Sequence, residues 1–432
     1  MTNARKPLGW SAMSLMVQTI FGILSFVLIA RFFGAETFGL YAGTVGFVGI
    51  ATGFSSLGSA ELAARRLIRA RDVTDTPRDE AVGRLLSTLG SIAPAVLISA
   101  ALLGAIIFDS IADSFGERAL IVGMLAFGEI CATGFGSAAN GSLLALDEDR
   151  RAAIISSSQA VLRVVAVLVL ASVSTSIFAL AIAVALSGAG LLVIGFGTFA
   201  RLGIRPSFSM RWREDWREGF DIALGSTARS TTQDVDQTIL LRNDMVVDTG
   251  LYGASARISH YAFLPVMAVL QVTYPKYFEH GKNGIAASWK FCQRVGVPLI
   301  GYGIFAGAAL VVGQFFVPTV LGAEFEGAQV MIVALCGIPL VRILNSIFGD
   351  VLISSGYVAA RMRPVVVGAV VNLLTNIIVI PTYGWKGAVA TTYATELGVV
   401  LVYVFLVRRY IAAEAAASVD NSKTGKTHAR QS

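Results

Sequence analysis

Along residues 226–237 the polar side chains Ser226, Arg229, Ser230, Gln233, Asp236 and Gln237 recur at steps of three and four, and Thr227 and Asp234 widen the stripe. At 3.6 residues per turn that spacing sets them on one face of a helix. Further on, Arg257 and His260 lie three apart and share a face in the same way. Guanidinium forks match phosphate oxygens two at a time. Arg229 and Arg257, with Gln233 and His260, are therefore residues with which the chain can grip an anion. Asp234 and Asp236 can balance those arginines or take up a coupling cation. The same residues also fit a plainer reading, in which Arg229–Asp236 and Arg257–Asp234 pair within or between helices. Cys131, Cys292 and Cys336 match neither a disulfide framework nor a metal spacing, and the chain has only three histidines, so no metal and no cofactor is expected.

The elements that carry these groups are set by composition. Of 432 residues, 55% are hydrophobic and 14% charged, and the mean hydropathy is +0.70. A soluble chain this long carries roughly a quarter charged residues. The apolar residues fall into stretches of about twenty, enough to cross a hydrocarbon core as helices. About twelve spans are expected: 10–30, 38–58, 85–108, 119–145, 152–173 and 177–199, then 219–241, 251–274, 295–317, 328–353, 364–381 and 387–407. The first run follows Arg5 and Lys6, has no cleavage site ahead of a soluble domain, and is read as a retained span. A charge inside such a span costs about 2.5–3.5 kcal/mol and needs a reason. On that ground Arg163 is a candidate cavity residue, with Glu129 as its default partner. Arg342 and Asn345 share a face and can bridge helices. Glu396 has no local partner and is a candidate proton site. Arg31 and Glu36 fall at an outer rim, where they can close a gate.

Lysine and arginine fix the orientation. Only Arg31, Arg118, Arg242 and Lys386 lie on one side of the expected spans, four more arginines lie within them, and all others fall on the opposite side. By the positive-inside rule that basic side is cytoplasmic, with both termini on it. The same rule accounts for the pI near 9.3 without nucleic acid as a partner. The expected organisation is an N-terminal lobe over 1–205, an interfacial linker over 206–218, a C-terminal lobe over 219–410, and an irregular cytoplasmic tail over 411–432. In the linker, Trp212 and Trp216 lie four apart among arginines, which suits a helix lying at the membrane surface. Gly39-Leu40-Tyr41 and Gly250-Leu251-Tyr252 open the second and eighth spans alike, which points to two repeats of one orientation.

Three stretches then carry a family likeness. Phe33-Gly34-Ala35-Glu36-Thr37-Phe38-Gly39, the run from Asp248 to Arg257, and Asn372 to Asn376 followed by Ile380-Pro381-Thr382-Tyr383-Gly384 resemble the polysaccharide and O-antigen flippases of the multidrug/oligosaccharidyl-lipid/polysaccharide (MOP) exporter superfamily. The resemblance runs the length of the chain. It implies an all-α polytopic membrane protein with two six-helix lobes, placed in the bacterial inner membrane. It also implies a monomeric transporter rather than an enzyme, which passes an undecaprenyl-diphosphate-linked oligosaccharide to the periplasmic leaflet for surface or exopolysaccharide synthesis. Na⁺ or H⁺ coupling and a complex with polysaccharide polymerase machinery fit the same picture. On it, Arg229, Arg257, Arg163, Gln233 and His260 bind the headgroup. Asp234, Asp236, Glu396 and Glu129 balance charge or couple ions, and Arg31 and Glu36 gate. Two rivals are weighed: a drug or organic-cation antiporter, which would want an acidic cavity, and a membrane polymerase or ligase, for which the short outer connectors leave little room.

Overall fold

The structure, a computed structural model, describes residues 6–56, 78–204, 219–220, 223, 227 and 234–428. The described residues are helical or in short turns. In chain order the helices are α1 Lys6–Ser56, α2 Arg78–Ile107, α3 Phe115–Ile130, α4 Gly136–Ala145, α5 Asp149–Ala171, α6 Ile177–Arg201, α7 over 234–242 and α8 Val246–Gly281. They continue with α9 Ile285–Gly313, α10 Val317–Leu321, α11 Ala328–Leu335, α12 Ile338–Ser354 and α13 Val358–His428. Among the described residues, seven helical stretches are long and apolar enough to cross a bilayer. The protein is thus an all-α polytopic membrane protein.

Two of those stretches, Met13–Gly53 with 41 residues and Val358–Ala416 with 59, far exceed one crossing. Each breaks at a glycine in the left-handed region, Gly34 (φ 75°) in α1 and Gly384 (φ 56°) in α13. Only glycine adopts that backbone without a Cβ clash, so each long helix becomes two arms. The expected spans 10–30 and 38–58 are the arms of α1, and 364–381 and 387–407 those of α13. Elsewhere serine marks the entries: Ser114 Oγ accepts from the Glu117 amide at 3.2 Å to cap α3, and Ser176 Oγ from the Ala179 amide at 3.3 Å to cap α6. Between α3 and α4 the chain winds a single π turn over Cys131–Phe135.

The chain divides into two compact units, residues 1–253 with 318–326, and residues 254–317 with 327–432. In the first, α1 packs on α5 and α3, and α6 packs on α5 and α3. Phe135, Leu143, Ile155, Leu191 and Phe199 form one of its buried clusters. In the second, α12 lies between α9 and α13, around buried Tyr277, Leu299, Ile343, Ile347 and Tyr403. The tail, expected to be irregular from residue 411, instead prolongs α13 to His428. Its Glu414 reaches across 128 residues to accept from the Ala286 amide at 3.0 Å, at the start of α9. That contact satisfies one of the unpaired N–H groups that every helix start presents.

Candidate functional site

Gly39, Gly43, Gly46 and Gly53 lie on the arm of α1 that follows Gly34, where they have no side chains to hold a neighbour away. A Cβ at Gly39 would run into the Val246 carbonyl, one at Gly43 into Leu241, one at Gly46 into the Asp234 carbonyl, and one at Gly53 into Thr227. The contact is reciprocal, because a Cβ on Gly250 would strike the Ala35 carbonyl. Small residues let transmembrane backbones approach this closely. Here the approach clamps α7 and the start of α8 onto α1, with Thr238 Oγ1 donating to the Gly43 carbonyl at 3.1 Å. The two Gly-Leu-Tyr motifs therefore meet face to face.

The seam positions the acids of α7. Asp236 is buried, and its carboxylate accepts from the Tyr252 hydroxyl at 2.5 Å and the Gln237 amide at 2.8 Å. Asp234 is half-buried and accepts from Gln237 Nε2 at 3.4 Å. Arg229 and Gln233, the other members of the expected stripe, lie outside the described residues, as does the Trp212–Trp216 linker.

At the end of the seam, Arg31 donates through Nη1 to the Thr319 and Val320 carbonyls at 2.8 and 3.3 Å, in the last turn of α10. A helix C-terminus presents bare carbonyls and a partial negative charge, which suits a guanidinium. Next to it, Glu324 accepts from the Ala35 amide at 2.9 Å, the first N–H beyond the Gly34 break. Phe38 and Phe325 then meet edge to face at 5.9 Å. Glu36, expected as the acidic half of this closure, is exposed and makes none of these contacts. The acid is Glu324, which lies 289 residues from its partner and so left no local trace in the sequence.

Deeper in the first unit, Arg163 Nη2 lies 2.8 Å from Glu129 Oε1, with the two side chains 17% and 13% exposed. The pairing expected from the sequence is present as a close ion pair. Arg163 Nε finds no hydrogen-bond partner among the described residues.

In the second unit Arg257 and His260 lie one turn apart on α8, both half-buried, and the charges of Arg257 and Arg342 act on the His260 ring. Arg342 Nε lies 3.8 Å from Glu396 Oε1, and Asn345 Nδ2 donates to Glu396 Oε2. Glu396, which has no local partner in the sequence, thus receives two from α12. Arg342 and Asn345 thus bridge α12 to α13. Sequence reasoning also missed Asp350, which pairs with Arg361 at 3.1 Å, while the Tyr403 hydroxyl donates to the Arg361 carbonyl at 2.7 Å.

The asparagines of the family-like stretch serve the fold. Asn372 Nδ2 donates to Thr395 Oγ1 at 3.2 Å, Asn376 Nδ2 to Asn372 Oδ1 at 3.1 Å, and Thr391 Oγ1 to Asn376 Oδ1. This ladder joins the two arms of α13.

A family model described as "Polysaccharide biosynthesis protein" matches residues 5–280. No curated protein matches the chain. Among solved structures, the lipid II flippase MurJ in an inward closed conformation matches at TM-score 0.70 and 14% identity, covering 92% of this chain and 87% of that one. An inward-facing multidrug resistance MATE family transporter of the MOP superfamily matches at 0.68 and 17%, covering 95% and 99%. A MOP superfamily transporter from Pyrococcus furiosus, whose binding pocket is described as of reverse polarity, matches at 0.52 and 15%, covering 91% and 93%. These structures share the fold. With a family model matched over more than half its length, the chain belongs to the polysaccharide biosynthesis protein family, on the fold of the MOP exporter superfamily.

Proposed function

We propose that the protein is a flippase that carries an undecaprenyl-diphosphate-linked oligosaccharide from the cytoplasmic to the periplasmic leaflet by alternating access. The observation that carries this reading is the set of arginines held within membrane-spanning helices. In the second unit Arg342 lies 3.8 Å from Glu396, and Arg257 and His260 lie one turn apart on α8. Arg163 keeps its Nε unmatched beside Glu129. Each intramembrane cation costs free energy unless a counter-charge meets it. A diphosphate brings about two negative charges and oxygens that fit guanidinium geometry. The family match adds a link to polysaccharide synthesis.

In this reading the chain makes twelve passes in two six-helix lobes, 1–205 and 219–410, with both termini cytoplasmic. The headgroup binds Arg163, Arg229, Arg257 and His260, with Gln233 donating to the sugar. Asp234, Asp236, Glu129 and Glu396 keep the empty site near neutral or take up a coupling Na⁺ or H⁺. The seam of α1 with α7 and α8, locked by Arg31 and Glu324, is the outer gate. Its separation releases the headgroup outward, and membrane potential biases the cycle by about 2.3 kcal/mol per charge per 100 mV.

The test is the leaflet distribution of labelled undecaprenyl-diphosphate oligosaccharide in vesicles. The wild-type protein is expected to move it, and the double variant Arg229→Ala, Arg257→Ala to fail. Normal movement by the double variant removes the headgroup assignment. Uptake of organic cations by the same vesicles, with no movement of the lipid-linked sugar, replaces the flippase with an antiporter.

A further inference from the structure

The two arms of α13 enclose a groove of about 680 Å³ that belongs to none of the charged clusters above. Its walls include Val367, Val371 and Val379 on one arm and Val399 and Val402 on the other, and Gly368 and Gly398 widen it. The threonines along it add no unmet polarity. Thr375 Oγ1 donates to the Val371 carbonyl at 2.7 Å, Thr395 Oγ1 to the Thr391 carbonyl at 2.8 Å, and Thr391 Oγ1 to Asn376. The groove is an apolar slot in which every hydroxyl is already bonded.

One end differs. Arg363 closes the groove where α13 begins, and it is exposed. Arg361, two residues earlier, is held by Asp350 at 3.1 Å, whereas Arg363 has no ion pair or hydrogen bond among the described residues. An arginine at the mouth of an apolar slot matches an amphiphile with a phosphate at one end and hydrocarbon behind it. From Arg363 to Val379 the slot rises about 24 Å at 1.5 Å per residue. One leaflet of the hydrocarbon core is only about 15 Å deep. The acyl chain of a phospholipid anchored at Arg363 would end within its own leaflet, whereas a single long isoprenoid chain anchored there can run the whole slot.

We propose that the groove between the arms of α13 holds the polyprenyl chain of the lipid-linked substrate, with a substrate phosphate meeting Arg363 on the cytoplasmic side. The proposal rests on the flippase reading for the identity of the substrate and adds a place for its tail. The tail is then guided along the protein instead of trailing in bulk lipid, which ties the orientation of the headgroup to one helical hairpin.

Gly398 provides the test, because a Cβ there meets nothing within 4 Å and a larger side chain enters the groove without striking the backbone. The full chain in lipid nanodiscs is photolabelled with a polyprenyl diphosphate that carries a diazirine on its chain and no sugar. Labelling is expected on peptides 364–379 and 390–402. It should fall about ten-fold in Gly398→Phe and by a similar factor in Arg363→Ala. Ala394→Phe fills the same groove from one turn away and guards against a folding defect in the first variant, with the detergent unfolding midpoint of each as control. Labelling that is undiminished in both filling variants overturns the proposal. So does labelling displaced equally well by excess phospholipid, which would make the slot a site for ordinary lipid. The two readings fail separately. Groove labelling without sugar transport in wild type removes the flippase and leaves the groove, while transport without groove labelling does the reverse.

Discussion

Replacing Gly39 with alanine adds one methyl group at the point where α1 and the start of α8 lie closest. The added Cβ points at the Val246 carbonyl and the Gly250 amide nitrogen, both backbone, so neither neighbour can rotate away. The seam must part locally, or the helices must shift. Overpacking of a tight contact costs about 1–3 kcal/mol. If the seam is the outer gate, that cost falls only on the closed state. At 1.4 kcal/mol per factor of ten, the open population rises about 5- to 150-fold while the closed state dominates. Ala42 reports on this. It is 1% exposed, and it lies where a Cβ on Gly253 would touch it. In a background with Cys131, Cys292 and Cys336 replaced by alanine, Ala42→Cys is labelled with a membrane-impermeant maleimide added from outside. Labelling is slow with Gly39 and is expected to accelerate by at least about five-fold with Gly39→Ala. Gly250→Ala should do the same, because its methyl meets the Ala35 carbonyl from the other side. Equal labelling rates in all three proteins would refute the assignment of this seam as a gate, provided the unfolding midpoints agree.

Glu324→Gln keeps the shape of the cap on Ala35 but removes its charge, at a cost of about 1 kcal/mol, and should speed labelling at Ala42→Cys about five-fold. Glu129→Gln leaves the Arg163 guanidinium uncompensated in a mostly buried site, so the detergent unfolding midpoint should drop by the equivalent of about 3 kcal/mol. The double variant Glu129→Leu, Arg163→Met should recover most of that loss while abolishing transport; transport retained in it removes Arg163 from the binding residues. Asn376→Leu takes away two rungs of the ladder in α13, each worth about 0.6 kcal/mol across membrane helices, and should lower the unfolding midpoint slightly without changing the headgroup affinity.

The helices were legible because length and hydropathy act locally. The break at Gly384, in a Pro-Thr-Tyr-Gly turn, and the one at Gly34 could be expected where they occur, since a glycine between two apolar runs is the cheapest place for the backbone to reverse its sense. The repeated Gly-Leu-Tyr was legible as an echo but not as a contact, because no spacing says that the two copies would meet. The Glu129–Arg163 pair was within reach of sequence reasoning, since each is a rare charge in an apolar span and pairing is the least costly outcome. Glu324 and Glu414 were not, because each meets a backbone amide 289 or 128 residues away, and a backbone amide has no sequence signature. The partners of Glu396 escaped for a related reason: Arg342 and Asn345 lie on another helix. The tail was misjudged from composition, because alanine favours helix as much as its polar neighbours favour solvent.

The π turn at Cys131–Phe135 has a bearing on the charge it follows. Such a turn is a helix that contains one surplus residue. The surplus can be handed back along the helix, and each residue it passes is re-indexed by about 100° about the axis. Glu129 stands two residues before the turn, and its carbonyl accepts from Thr133 Oγ1, inside the turn, at 2.7 Å. Handing the surplus back by one turn would swing the carboxylate away from Arg163 while both ends of the α3–α4 rod stay anchored. If the proposed headgroup site is right, the charge it offers would then be set by the numbering of a helix rather than by its displacement, a form of control that needs no moving domain.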